Sequence, residues 1–161
     1  MSAIGQRFKT HWGSIGETVR PGASPDAIKS FSTAYKISLP QDLYDYFRTV
    51  DGMEETETDN LLLHFFPLRA VKPVIEELAQ VGGIPDYRPI KKTLADPELY
   101  FVFADYMIGS HVYAIRLSGD KSAATPIIWI CGSRWRIVAA TFSEFGEKYF
   151  ANPDELLIAP I

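Results

Sequence analysis

The fold of this chain is decided by residues 38–52, which read Ser-Leu-Pro-Gln-Asp-Leu-Tyr-Asp-Tyr-Phe-Arg-Thr-Val-Asp-Gly. The stretch predicts one short amphipathic helix whose two ends are both marked in the sequence. Pro40 suits the first helical turn, because a missing backbone N–H costs nothing there. Apolar residues then recur at helical spacing and predict a buried stripe, formed by Leu43, Phe47 and Val50. Gly52 is expected to end the helix by adopting a left-handed backbone.

Two further helices are predicted before this one. In the opening segment, residues 1–23, apolar side chains repeat at helical spacing. They are Phe8, Trp12, Ile15 and Val19. Ser24-Pro25-Asp26 then combines an N-cap, a first-turn proline and an acid near the positive end of a helix. A second helix should therefore begin there, with a buried stripe of Ile28, Phe31 and Tyr35.

The second half of the chain favours a sheet. After a polar loop over 51–60, we expect a strand over 61–66 and a helix over 71–78 that Gly82-Gly83 ends. Residues 82–97 should form a long irregular connection over the surface. Strands follow at 99–103, 111–117, 126–131 and 135–139, and their short links imply an antiparallel meander.

A closing helix completes the predicted α+β domain. Thr141 and Glu144 have the spacing of a capping box, and a helical face follows with Phe142, Phe145 and Tyr149. Helices, a strand, a helix, a strand meander and a last helix imply helices packed on one face of an antiparallel sheet. A length of 161 residues is typical of one domain, so we expect a single domain over 1–161.

Composition narrows the classes of function. Cys131 is the single cysteine of the sequence, so an intrachain disulfide is impossible and a reducing cytoplasm is expected. The N-terminus has no apolar signal core, and the longest apolar runs are too short to span a bilayer, so no membrane association is expected. The net charge is −4 and the pI about 5.4, which argues against nucleic-acid binding by bulk charge. A basic protein partner fits this charge better.

Four segments, taken in order, carry a family resemblance. They are Leu39-Pro40 through Asp51-Gly52, the apolar run 63–68, Phe101-Val102-Phe103-Ala104-Asp105-Tyr106 with His111-Val112-Tyr113-Ala114-Ile115, and the closing 138–145. Together they resemble the SUKH superfamily of Smi/Knr-type proteins over residues 24–151. The resemblance implies an α+β domain with a curved, mainly antiparallel sheet and flanking helices. It also implies a protein-binding role, with no shared set of catalytic residues and no cofactor.

The resemblance leaves two roles open. Many bacterial members are immunity proteins that neutralise a toxin, often a nuclease, and this is the leading interpretation. The alternative is an intracellular regulatory or scaffold protein, as in fungal cell-wall signalling. This chain departs from the family pattern at Asp51, where asparagine is common, in the extra helical segment 1–23, and in the longer connection 82–97.

The candidate partner-binding residues come from three places. Five acids crowd one loop: Asp51, Glu54, Glu55, Glu57 and Asp59. They could bind a cation, although the turn glycine of a calcium loop is missing. They could meet a basic partner, or they could simply be a solvated loop. Further candidates lie on the loops at Asp105-Tyr106 and Arg134-Trp135. Arg88, Lys91 and Lys92 are interpreted as a solvated surface.

One catalytic alternative requires Cys131 to meet a histidine. His64, His111 and Asp105 could complete a cysteine nucleophile site, in which a neighbouring imidazole activates the thiolate. However, Cys131 follows Ile-Ile-Trp-Ile, which is typical of a buried, inert thiol. The three histidines of the sequence also lack zinc-site spacing. The sequence therefore predicts a protein that is not an enzyme and holds no metal.

Overall fold

The computed structural model of the protein describes residues 3–157. The helices in this range are α1 (Ile4–Ser14), α2 (Pro25–Tyr35), α3 (Gln41–Thr49), α4 (Val74–Glu77), α5 (Ile90–Thr93), α6 (Phe142–Ala151) and α7 (Asp154–Leu157). The strands are β1 (Leu63–Phe65), β2 (Lys72–Pro73), β3 (Tyr100–Tyr106), β4 (His111–Arg116), β5 (Ile127–Cys131) and β6 (Arg134–Ala139). Short 3-10 helices cover Leu68–Ala70 and Pro97–Leu99. The outermost ends of the predicted domain, residues 1–2 and 158–161, lie outside the described range.

The strands form one open antiparallel sheet in the order β1-β3-β4-β5-β6. The short strand β2 pairs with β3 on the same edge as β1, further towards the start of β3. Across the middle of the sheet, Tyr113 lies opposite Trp129. The register shifts between Val102 and Ala104, as a β-bulge requires, and bulges bend and twist the strand that carries them. The predicted α+β class, the antiparallel meander and the flanking helices are confirmed.

Helical segments cover both faces of the sheet. On one face, the Phe145 ring of α6 packs against Phe103 and Tyr113, with ring centroids 5.2 and 5.3 Å apart. On the other face, Val112 borders a groove lined by Leu78 and Tyr87, which lie between α4 and α5. The prediction that helices lie on one face only was therefore wrong. Its cause was the segment 82–97, which is not merely a surface connection.

That segment contributes to the core. Its buried side chains include Tyr87, Ile90 and Leu94. The helix α5 forms a single turn that begins at Ile90. The Trp135 indole N–H donates to the Thr93 carbonyl at 3.1 Å, which fixes α5 against the β5–β6 turn. The predicted helix over 71–78 is shorter than expected, because Lys72–Pro73 pair with β3 as a strand before α4 begins.

The helix α3 begins one residue later and ends earlier than its sequence suggested. Pro40 is the residue before the helix, and Val50 is already extended, with φ of −146°. Gly52 does adopt a left-handed backbone, at φ +62°, but it does so outside the helix. A Cβ at Gly52 would lie 2.4 Å from the Phe66 carbonyl oxygen. Glycine is therefore required there for close approach to the chain after β1, not as the cap of α3.

The N-terminal helix α1 is part of the core. Phe8 and Trp12 are fully buried among aromatic rings of α3, β1 and α6. The predicted helix was expected to reach Val19, but it ends at Ser14, where the backbone turns through Gly16 at φ +83°. Residues 4–14 thus close over the same sheet face as α6.

Candidate partner-binding surface

The acidic loop between α3 and β1 is fixed at both ends. The Met53 N–H donates to the Phe65 carbonyl at 2.8 Å, and Met53 itself is fully buried. Six residues later, the Asp59 N–H donates to the Leu63 carbonyl at 2.8 Å. Between these anchors, the Glu57 N–H donates to the Glu54 carbonyl at 3.0 Å and closes a turn. Residues 54–57, which we call the acidic turn, are therefore presented on a braced frame.

Asp51 braces this frame and is mostly covered. Its Oδ1 accepts the Leu68 N–H at 2.7 Å, which ties the end of α3 to the chain after β1. The Arg20 guanidinium reaches the Asp51 carbonyl at 2.9 Å and forms an ion pair with Glu54. The sequence contains no base within the loop, so this cation, supplied from 31 residues away, could not be anticipated. Asp51 thus has a structural role in addition to any contact with a partner.

Asp59 does not lie on the surface, so the prediction that it belongs to an exposed partner-binding loop was wrong. It is 3% exposed. Its Oδ1 accepts the N–H groups of Leu61 and Leu63 at 2.8 and 2.9 Å, and its Oδ2 accepts the Tyr149 hydroxyl. The Trp12 indole N–H donates to the same hydroxyl at 3.0 Å. Burial, followed by the charge of Asp59, raises the pKa of Tyr149. Asp59 therefore joins α1, the loop and α6.

The exposed acids of the loop are concentrated in the acidic turn. Glu54 and Glu55 are exposed, and Glu57 is half-buried. A fourth acid joins them, because Glu17 lies close enough for the charges of Glu57 and Asp59, after burial, to raise its pKa. Glu17 lies about 40 residues earlier in the sequence, so only the structure brings it to this surface. Arg20 forms ion pairs with both Asp51 and Glu54, but its single positive charge does not balance these acids, so the surface remains negative.

The two other predicted loop pairs occupy different positions. Asp105 and Tyr106 end β3, and as neighbours on a strand they project to opposite faces. Tyr106 stacks on His111, with ring centroids 4.7 Å apart, whereas Asp105 faces the groove beside Val112. Arg134 and Trp135 begin β6, about a third of Trp135 is exposed (38%), and its N–H is held by Thr93. The structure therefore does not gather the three predicted places into one site.

The residues of the catalytic alternative are divided between the two faces of the sheet. Asp105 lies opposite His64 and Val112, whereas His111 lies opposite Tyr106. Because adjacent strand residues face opposite ways, His64 and Asp105 are separated by the sheet from His111. Cys131 is half-buried, more open than predicted, and its thiol donates to the Ser110 carbonyl at 3.4 Å. The four side chains thus do not assemble into one nucleophile site.

His111 is buried in an aromatic setting. Its Nε2 lies 3.0 Å from the Tyr113 hydroxyl, which itself donates to the Leu156 carbonyl at 2.6 Å. Since that hydroxyl proton is already used, the Nε2–H of a neutral imidazole is the donor to Tyr113. Burial, aided by the charge of Arg136, lowers the pKa of His111 to about 4. Among residues 3–157, no group of three His, Cys, Asp or Glu could hold a metal ion. Each helix within the same range falls short of what crossing a bilayer requires.

The fold and this surface define a class of protein: an α+β domain on an open antiparallel sheet, with a braced acidic turn at one sheet edge. Residues 22–148 match the SMI1 / KNR4 family (SUKH-1). Because the match spans most of the chain, the protein belongs to this family, and the resemblance inferred over 24–151 is confirmed. No curated protein matches the chain. The helix α1 precedes the matched residues, although it is buried in the same core.

Proposed function

We propose that this protein is a non-catalytic binding module, and that it acts as an immunity protein by binding a bacterial toxin domain directly. The observation that carries the proposal is the acidic turn, held between the anchors at Met53 and Asp59 in a domain of the SUKH-1 family. A loop fixed in this way presents charge without a large ordering cost on binding, since its backbone is already in place.

The partner that suits this turn is a toxin domain with a basic surface. Nucleases are one such class, because they must hold a polyanion and do so with lysine and arginine. The exposed carboxylates of Glu54 and Glu55 would meet such a surface at its rim and steer the encounter. The protein would then occlude or distort the toxin's site and supply no chemistry of its own.

The experiment uses the product of the gene directly upstream of this protein's gene, which is first tested for toxin activity. Purified toxin is titrated with the protein, and both complex formation and residual toxin activity are followed. Neutralisation is expected at one-to-one stoichiometry, without chemical change to the toxin by mass spectrometry. A tight complex that leaves the toxin active, or no complex at all, would overturn the immunity role. A stable complex with a protein of the producing cell, unrelated to any toxin, would instead support the regulatory alternative.

A further inference from the structure

An exposed apolar corner lies beside the acidic turn. The β3–β4 turn carries Met107 and Ile108, and the nearby loop carries Ile84; Ile108 is 95% exposed. Leu62, also exposed, accepts the Met107 N–H at 3.1 Å and so belongs to the same corner. Single exposed apolar residues need no explanation, but a contiguous group of this size marks an interaction surface.

The backbone of this corner is strained. Leu62, Met107 and Ile108 have φ values of 69°, 46° and 55°. Glycine or asparagine suits such positions, whereas a β-branched residue with positive φ is an outlier. Within residues 3–157, three of the five non-glycine residues with positive φ are therefore exposed apolar side chains on one corner. Folding alone would favour other residues here, and strain of this kind is concentrated at functional sites.

A groove of about 250 Å³ opens between this turn and the segment 81–87. Its apolar walls are formed by Leu78, Val81, Ile84, Tyr87, Ile108 and Val112. Two acids, Asp105 and Glu77, line the same groove. Arg88 lies over Gly82 at the rim, but its guanidinium is paired with Asp86 at 2.9 Å. The groove is therefore lined mainly by apolar side chains and also carries two acids.

The carboxylate of Asp105 lacks a cationic hydrogen-bond donor. Burial raises its pKa, the charge of His64 opposes that shift, and the charge of Glu77 adds to it. Burial also raises the pKa of Glu77, which Lys72 offsets only in part. No residue in the range 3–157 donates a hydrogen bond to the Asp105 side chain. A donor with a positive charge would stabilise both ionised acids, and a long aliphatic stem would fit the apolar walls.

We propose that this groove is a docking site for a lysine or arginine side chain of a partner protein, with apolar neighbours that pack on Ile84 and Ile108. The proposal rests on the proposed function for the basic character of the partner. It places the anchoring contact at the groove, and it leaves the acidic turn to steer the approach. The two surfaces are adjacent, because His64, opposite Asp105, also bonds through Nδ1 to the Glu57 carbonyl at 2.6 Å.

The test needs no toxin and can therefore fail separately from the immunity role. The probe is the peptide acetyl-Leu-Arg-Leu-amide, compared with its citrulline counterpart, which keeps the shape but loses the charge. Binding is followed by NMR shifts of the isoleucine methyl groups. Saturable shifts at Ile84 and Ile108 are expected with the arginine peptide only. Equal shifts with both peptides, or none with either, would overturn the proposal.

Three variants sharpen this test. Asp105→Asn should weaken peptide binding about tenfold or more, since a charge-assisted contact is lost, without lowering the melting temperature. Ile108→Asn should also weaken binding, while relief of the strained backbone raises the melting temperature by about 2–4 °C. Ile137→Asn replaces an exposed isoleucine of β6, the strand at the far edge of the sheet from β1, and should change neither shift nor affinity. Unaltered binding by Asp105→Asn would contradict the assigned contact.

The competing occupant of the same corner is a second copy of the chain. Sedimentation of the protein at increasing concentration distinguishes it. A monomer throughout is expected. A dimer that Ile108→Asn dissociates would assign the corner to a second copy of the chain and overturn the proposal.

Discussion

At the level of single residues, the start of α6 allows the contribution of core packing to stability to be measured separately from that of helix capping. Phe142 is fully buried, whereas Thr141 is exposed and its hydroxyl accepts the Glu144 N–H at 3.1 Å. We expect Phe142→Ala to lower the free energy of unfolding by about 3–5 kcal/mol, because a cavity is left in the core. Thr141→Ala should cost only about 1 kcal/mol, the loss of one cap. Urea unfolding of both variants measures the difference, and near-equal values would place the helix start elsewhere.

A second cap at the same helix start comes from α3. The Asp42 carboxylate accepts the Ser143 N–H at 2.8 Å and the Ser143 hydroxyl at 2.9 Å. This contact joins residues 101 positions apart, so no local motif could have announced it. The capping box at Thr141 could be predicted, because its chemistry lies within four residues. The same contrast explains why Asp59 was misplaced on the surface: its partner Tyr149 lies 90 positions away.

The buried imidazole of His111 predicts a pH dependence of stability. Its pKa is about 4 in the folded protein, against 6.5 for an unperturbed histidine. Between these values the unfolded chain binds a proton that the folded protein excludes, so stability must rise with pH across this window. The slope from this group is at most about 1.4 kcal/mol per pH unit. Above pH 6.5 and below pH 4 its contribution is constant.

The measurement compares the protein with His111→Gln, which retains a donor for Tyr113. Free energies of unfolding are obtained from pH 4 to 8. The difference in free energy of unfolding between the two proteins should change steeply only between about pH 4 and 6.5. The carboxylates titrate in both proteins, so their contribution cancels. A difference that is independent of pH would show that His111 is not kept neutral by the fold.

At the level of elements, the question is whether the folded domain begins with α1. The family match starts at residue 22, yet Phe8 of α1 packs against the core. Its ring centroid lies 5.0 Å from that of Tyr46 in α3, 5.6 Å from that of Phe65 in β1 and 5.4 Å from that of Tyr149 in α6. Phe8→Ala should therefore destabilise the whole domain by about 3–5 kcal/mol. Lys9→Ala, on the exposed side of the same helix, is the matched control and should leave stability almost unchanged. Equal, small effects would show that α1 is dispensable.

The elements also show how much of the fold could be predicted from the sequence. The start of α2 was predicted correctly, because Ser24 caps it locally by accepting the Ala27 N–H at 3.1 Å. The end of α3 was not, because the extended backbone of Val50 carries the chain towards the Gly52–Phe66 contact, which is tertiary. The apolar corner also escaped prediction. Leu62, Ile84 and Ile108 are ordinary residues in their local sequence, and only the fold brings them together.

At the level of the whole molecule, charge should control how fast the partner is met. The net charge of −4 is modest, so position matters more than total charge. Exposed charges at an interface rim chiefly raise the association rate, and salt screens them over about 10 Å at 0.1 M. Reversal of Glu54, Glu55 and Glu57 to Lys should slow association with the toxin domain, with a smaller effect at high salt. Folding stability should change little beyond the loss of the exposed pair with Arg20.

A matched control separates position from net charge. Reversal of Asp26, Glu98 and Asp120 to Lys changes the total charge by the same amount at exposed sites outside the acidic turn. Stopped-flow association is measured for both triple variants at two salt concentrations. Only the acidic-turn variant should lose the faster association that is expected at low salt, because the electric field that guides the partner arises at the turn. If both variants slow association equally, bulk charge governs the encounter. An unchanged rate for the acidic-turn variant would exclude the turn from the approach path altogether.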